Sequence, residues 1–303
     1  MKAASADPPV APPARRRQTL VALARRPAAV GAAAVLLALV AFVVLFPLVS
    51  AHDPNDVDFA KTRQGPSLEH PLGTDQFGRD LLARVAVGGR TTLAIAVAAL
   101  TIILALGFVW GATAALAGGW VDSLLMRVVD GLFAIPRLPI AIVLLVVLSF
   151  RAQSVAAIVA ALSIAGWMLT ARLVRGHVLS LKTRDFVVAA RATGATRRRI
   201  VRRHILPNSS GVLLVAALLE LPTVVVGEAL LSVLGLGPPP PTATWGNIAY
   251  DGWQFARLWE MLVATVAIVL FAGAANVLAD AVGDVLDPRR RGTRTLGAGR
   301  LSQ

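Results

Sequence analysis

Six stretches of this chain are long and apolar enough to cross a bilayer, and that pattern sets the solvent in which the fold must be stable. A membrane helix needs about 20 mostly apolar residues. Residues 28–51 carry no charge over 24 positions and residues 91–121 none over 31. A third span is expected over 131–150, with Arg137 snorkelling toward the interface, because only 13 uncharged residues separate Arg137 from Arg151. Residues 152–171, 212–236 and 261–279 complete the set. No ten-residue alternation indicates a barrel. The expected fold is therefore an all-α membrane protein of six transmembrane helices. With 56% hydrophobic and only 16% charged residues, the chain lacks the polar surface that a soluble domain of 303 residues needs. It has no cysteine, which excludes disulfides, thiolate metal sites and a cysteine nucleophile.

Lys and Arg in short connections are retained on the cytoplasmic side. Six precede residue 28, eight lie in 176–210 and five follow Asp287, whereas 237–259 holds Arg257 alone. Both termini are thus expected to be cytoplasmic. The organisation read from this pattern is a cytoplasmic tail over 1–27, rich in Pro and Ala at its start, then a first transmembrane helix over 28–51. An extracytoplasmic loop follows over 52–90, then a five-helix core over 91–287 and a basic cytoplasmic tail over 288–303. A cleaved signal peptide ending at Val49-Ser50-Ala51 is the competing reading of the start, but 24 apolar residues exceed a usual signal core.

The inner connection 182–208 reads as two short helices. Asp185 is positioned to cap the first, Gly194 to end it, Thr196 to cap the second and Pro207 to stop that one. In the second helix Ile200, Val201, His204 and Ile205 share a stripe, and Arg197, Arg198, Arg199, Arg202 and Arg203 occupy the rest. Nucleic acid, an anionic lipid surface and a protein groove are the three partners such a loop can serve. Its place between two spans argues against nucleic acid. Ala189, Ala190, Ala192 and Gly194 leave a smooth face suited to docking in a protein groove.

At Ala189-Ala190-Arg191, Gly194 and Ile205-Leu206-Pro207 the loop resembles the EAA loop of binding-protein-dependent ABC permeases. The resemblance implies a coupling element that docks on a cytoplasmic ATPase, with Ala189, Ala190, Gly194 and Pro207 carried over and Arg191 and His204 beside them. Val188 stands where the family's Glu would be. Two further segments are similar to the C-type subunit of the dipeptide, oligopeptide and nickel permease group. These are His70-Pro-Leu-Gly-Thr-Asp-Gln-Phe-Gly-Arg-Asp-Leu-Leu-Ala-Arg84 and Glu228-Ala-Leu-Leu-Ser-Val-Leu-Gly-Leu-Gly-Pro-Pro-Pro-Pro241, the latter continuing to Asn247. In the first, Gly73 and Gly78 are expected at turns and Asp80 at a helix cap. In the second, the four prolines are expected to form a stiff extended segment. Trp245, Trp253 and Trp259 are expected to be interfacial anchors or receptor contacts.

Glu220 and Glu228, eight residues apart in the fifth span, are the candidate pathway residues, because charge inside a membrane faces a bundle interior or water. Asn276, Asp280, Asp284 and Asp287 share one face at the end of the last span, where they oppose the helix dipole and call for basic partners such as the inner-loop arginines. Phosphate-loop, His-Glu-x-x-His and Gly-x-Ser-x-Gly motifs are absent. No catalytic residue, metal site or bound cofactor is therefore expected on this chain. The resemblance implies that ATP and Mg bind on two separate ATPase subunits. It also implies a second permease subunit, a substrate-binding protein, contact with membrane lipid, and a place in the bacterial plasma (inner) membrane. The rival class is an ATP-independent channel or secondary transporter.

Overall fold

The computed structural model describes residues 21–148 and 154–286. The tail 288–303, Asp287, and most of 1–27 lie outside the described residues, as does the end of the third expected span. Among the described residues there is no strand, and the helices run α1 (Pro27–Val49), α2 (Leu81–Ala117), α3 (Gly119–Phe133), α4 (Arg137–Leu148), α5 (Val155–Ile164), α6 (Met168–Lys182), α7 (Asp185–Ala192), α8 (Arg197–Ile200), α9 (Ser210–Leu231), α10 (Trp245–Gln254) and α11 (Leu258–Leu286). Four of them, α1, α2, α9 with its extension to Leu236, and α11, are each long and apolar enough to cross a membrane. The total reaches six if two bent pairs each count as one span.

The bent pairs correct two expected spans. In place of a straight third span over 131–150, α3 and α4 meet at 90°. Pro136 lies in the break; it disfavours helical backbone at Ile135 and supplies no N–H. In place of 152–171, α5 and α6 meet at 46° around Gly166. A Cβ there would press on the Arg137 guanidinium and the Leu162 carbonyl oxygen. Uncharged length was the sequence signal, and it does not register a break at small residues.

The second span also starts earlier than expected, at Leu81 rather than beyond Arg90. Asp80 caps it by accepting the Ala83 N–H at 2.7 Å. The basic residues near its start are absorbed rather than excluded. Arg84 is buried beside Asp75 at 3.4 Å, and Arg90 donates to the Val43 carbonyl of α1 at 2.8 Å. The loop before it is ordered by short-range bonds. Asp75 accepts the N–H groups of Phe77 and Arg79 and the Arg79 guanidinium at 2.6 Å. Gly73 and Gly78 take φ of +79° and +77°, and a side chain on either would strike backbone of the 58–65 segment.

α2, about 55 Å long at 1.5 Å per residue, is the central helix. Ile95, Ala96, Ala99 and Ile103 are buried along it with Val224, Val225, Ala264 and Phe271 of α9 and α11. Toward its far end Gly107 and Gly111 press directly on Thr170 and Ala171 of α6. Small residues let membrane helices approach this closely.

Trp245 is fully buried, which overturns its expected place at an interface. Its Nε1–H donates to the Val85 carbonyl at 2.9 Å and its backbone N–H to Thr92 Oγ1 at 3.1 Å. Trp253 is exposed, and Trp259 donates to the Leu72 carbonyl at 2.9 Å. The proline run is not simply extended either. It closes a turn in which the Thr242 N–H reaches the Pro239 carbonyl at 3.1 Å, and Asn247 Nδ2 holds the Pro238 carbonyl at 2.8 Å. Trp245→Ala is expected to cost about 3–5 kcal/mol, because it leaves a large cavity and removes the indole donor to the Val85 carbonyl. Thermal unfolding of the detergent-purified chain measures it; a shift no larger than that of an exposed Trp253→Ala variant would contradict the packing.

At the end of α11, Asp284 is held by Arg26 at 3.0 Å. Arg26, at the start of α1, is thus one basic partner of that acidic face. Asp280 is exposed.

Candidate functional site

The 182–208 connection folds as two short helices, rooted at the Ala117 end of α2. α7 begins at Asp185 after Arg184, so Asp185 is a first-turn acid rather than the cap. It ends as expected at Gly194, whose φ is +79°. The Gly194 N–H bonds the Arg191 carbonyl and the Ala195 N–H bonds that of Ala190, at 2.9 and 3.0 Å. Thr196 caps α8 through the Arg199 N–H at 3.3 Å. Pro207 does not stop the chain's helical course, which corrects the sequence reading. A π-helical turn over Val201–Ile205 widens the helix ahead of it, and Pro207 sits in the first turn of Leu206–Asn208, where its missing N–H costs least.

The loop is gripped from one side. Val187, Ile200 and Ile205 are buried against Ala112 and Ala115 of α2 and Val174, Val178 and Leu181 of α6. Lys182 donates to the Ala115 carbonyl at 2.7 Å, satisfying the end of α2. The other side is open. Val188 is 52% exposed. Ala189, Arg191, Gly194 and Pro207 are also exposed. Ala190, Gly194 and His204 come together around a concavity of about 310 Å³ with Thr193, Arg199 and Arg203. Arg191 lines a neighbouring one with Lys182 and Arg197. Ala189 and Pro207 line neither. His204 stacks against Phe186 at 5.9 Å between ring centroids, so it supports the loop from within.

The second candidate lies in the membrane-spanning bundle. Glu220 of α9, 1% exposed, meets the Arg137 guanidinium at 2.7 Å. Arg137 Nε donates to the Ala165 carbonyl at the α5–α6 break, at 3.2 Å. Arg137 therefore turns inward and does not snorkel. It lines a cavity of about 350 Å³ with Leu162, Thr223, Gly227, Leu230 and Asn276. Glu228 is elsewhere, in a closed hydrogen-bonded cluster with Thr92 at 3.2 Å and Ser232 at 2.8 Å. Neither carboxylate lines that cavity, and Glu220 approaches it through Arg137.

Sequence reasoning missed two charged clusters. Arg175 makes a bidentate pair with Asp122 at 2.6 and 2.7 Å, and Arg172 pairs with Asp130 at 2.7 Å while lying over Phe133. Both link α3 to α6. At the opposite end of the bundle Asp75, Arg79, Arg84 and Asp251 converge beside a cleft of about 460 Å³ bordered by the proline turn. Burial raises the Asp251 carboxyl above its ordinary range, although Arg84 and Arg79 oppose that. The i,i+4 spacing of Asp75 and Arg79 was the available sequence signal for that cluster.

Comparison with known proteins decides the family. Residues 104–292 match the model of the binding-protein-dependent transport system inner membrane component. The chain belongs to that family. Residues 16–66 match the N-terminal TM domain of oligopeptide transport permease C. The permease is 37% identical over 260 residues to the oligopeptide transport system permease protein OppC of Bacillus subtilis (strain 168), covering 85% of this chain and 84% of that one. It is 35% identical to the dipeptide transport system permease protein DppC of the same organism, over 85% of this chain and 80% of that one. With OppC of Escherichia coli (strain K12) the identity is 37%, over 87% and 88% of the two chains. A solved structure of the MetNI methionine ABC transporter in an inward-facing conformation shares the fold, with a TM-score of 0.52 and 21% identity over 67% of this chain and 96% of that one. The permease is thus a multi-pass protein of the bacterial plasma membrane and a non-enzymatic transport component.

Proposed function

We propose that the permease is one of two membrane subunits of an ATP-driven importer of di- or oligopeptides. In this reading it forms the translocation pathway with a second, homologous permease. Two ATPases dock on the 182–208 loop from the cytoplasm, and a substrate-binding protein delivers peptide from outside. The observation that carries the reading is the two-sided loop: a buried apolar root on α2 and α6, and an open face of Ala189, Arg191 and Gly194 beside five arginines. A root of that kind transmits displacement, and a smooth open face admits a groove. The permease relatives named for oligopeptide and dipeptide transport support the substrate class.

ATP-driven closure of the ATPase pair would then move the loop as a lever and carry α2 and α6 with it, favouring an outward-facing arrangement; hydrolysis restores the inward-facing one. ATP shifts the balance only by its differential binding to the two arrangements. ATP and Mg act on the ATPases, not on this chain.

Gly194→Arg tests the reading. A Cβ at Gly194 meets nothing within 4 Å, so the permease itself loses only about 1–2 kcal/mol to the left-handed backbone, while a long side chain enters the docking face. Purified from its membrane in mild detergent, the native permease is expected to bring two ATPases and a second permease. The variant is expected to lose them, or to retain ATP hydrolysis with peptide uptake reduced more than about tenfold, a shift above 1.4 kcal/mol. Native permease recovered alone, carrying flux without ATP, would instead establish a channel or secondary transporter.

A further inference from the structure

We infer that the permease carries a site for a late first-row divalent cation of the zinc or nickel type, where the segment after α1 meets the start of α2. One ligand atom from each of His52, His70 and Asp80 lies within 4.8 Å of the others. Their arrangement follows the pattern of metal-binding imidazoles oriented by an outer carboxylate. Asp80 uses both oxygens: Oδ1 accepts the Ala83 N–H as the cap of α2, and Oδ2 holds His70 Nδ1 at 2.9 Å. With Nδ1–H donated to Asp80, the His70 Nε2 is left as a lone pair. That atom is buried and has no hydrogen-bond partner, and its side chain is only 5% exposed. A buried acceptor in this state is costly unless something fills the position it faces.

Beside it lie a second imidazole and a carboxylate. The His52 ring lies 4.8 Å from the His70 ring between centroids, tilted by 48°. Two imidazoles bound to one tetrahedral ion at about 2.0–2.1 Å per nitrogen have a comparable separation. Glu69 Oε1 is 3.8 Å from His70 Nε2. The ligands assigned are His70 Nε2, His52 and Glu69, with Asp80 orienting His70. Lys61 pairs with Glu69 at 2.6 Å, so metal binding displaces an ammonium group from an exposed carboxylate. Two imidazoles favour zinc or nickel over the all-oxygen preference of magnesium and calcium. His52 follows α1 by three residues and Asp80 caps α2, so the ion would tie the two ends of the intervening loop together.

The chain offers little background, since it has no cysteine and its other two histidines are His177 and His204. The full-length permease, purified in detergent without a polyhistidine tag, is titrated with Zn²⁺ against a chromophoric chelator. One equivalent is expected to bind, with a rise in thermal midpoint as metal is added. His52→Gln, a half-buried position, is expected to weaken binding more than about tenfold without changing apo stability. Asp80→Asn retains a good helix cap but removes the carboxylate behind His70, and is expected to weaken binding by about 10–100-fold. A His177→Gln/His204→Gln double variant is expected to bind as the native chain does. Absence of stoichiometric Zn²⁺ uptake by the native permease, or uptake undiminished in both His52→Gln and Asp80→Asn, overturns the site and leaves the His70–Asp80 contact as a helix-end hydrogen bond alone.

Discussion

Arg137→Ala is expected to destabilise the permease by about 3 kcal/mol, the low end for breaking a buried pair, because Glu220 is buried while Arg137 is half-buried at a cavity. Glu220 is 1% exposed and its second oxygen has no hydrogen-bond partner, so Arg137 is its only compensation among the described residues. The Ala165 carbonyl at the α5–α6 break would lose its donor as well. A double-mutant cycle separates the pair from its surroundings. Glu220→Gln alone is expected to cost less, because an amide still accepts from Arg137 and the guanidinium borders a cavity. Arg137→Met combined with Glu220→Gln is expected to recover most of the loss, since it removes both charges and keeps volume. Thermal unfolding of the native chain, Arg137→Met, Glu220→Gln and Arg137→Met/Glu220→Gln in one detergent gives the four corners of the cycle; additive effects of the two substitutions would show that the pair is not coupled. If folded Arg137→Met/Glu220→Gln permease transports normally, the pair holds α4 to α9 and has no separate part in the pathway.

This pair also shows where sequence reading stops. Glu220 is conspicuous because it interrupts an apolar run, and its need for a partner follows from burial alone. Its partner does not, because Arg137 lies 83 positions away and is equally consistent with a side chain reaching for the interface. Only the inward turn of α4 after Pro136 decides between the two. The same asymmetry runs through the molecule. Asp80, Thr196, Gly73, Gly78 and Gly194 act where local chemistry places them, since caps and left-handed turns are settled within about four residues. Pro207 and Trp245 do not, because their environments are tertiary. A π turn absorbs the proline, and Gly89 opens the slot that the indole fills, where a Cβ would strike both Val43 and Trp245. The amphipathic stripe of Ile200 and Ile205 was visible in sequence, but the helices it packs on were not.

Gly111→Leu is expected to reduce the yield of folded permease more than tenfold, because the obstacle at that position is backbone. A Cβ on Gly111 would fall on the Ala171 carbonyl oxygen and crowd the Arg175 amide nitrogen of α6. A flexible side chain could move aside; a helix carbonyl moves only if α6 moves. α6 carries Val174, Val178 and Leu181, which grip Val187, Ile200 and Ile205 of the 182–208 loop, and Arg175, which holds Asp122 of α3. Displacing it would therefore loosen the α3–α6 contact and the root of the loop together. Gly111→Ala places the same Cβ on that carbonyl but lacks the rest of the leucine side chain, and is expected to cost about 3 kcal/mol, the upper end for overpacking. That variant should assemble, yet show weaker coupling between ATP hydrolysis and uptake than its stability alone explains. Gly176→Ala, also on α6, serves as the control, since a Cβ there meets nothing within 4 Å and helix propensity favours the change by about 1 kcal/mol. Folded yield from gel filtration, thermal midpoint and ATPase-linked uptake are measured for all three variants. Should Gly111→Leu fold and couple like Gly176→Ala, the close approach of α2 and α6 could not be the contact through which the loop moves the bundle.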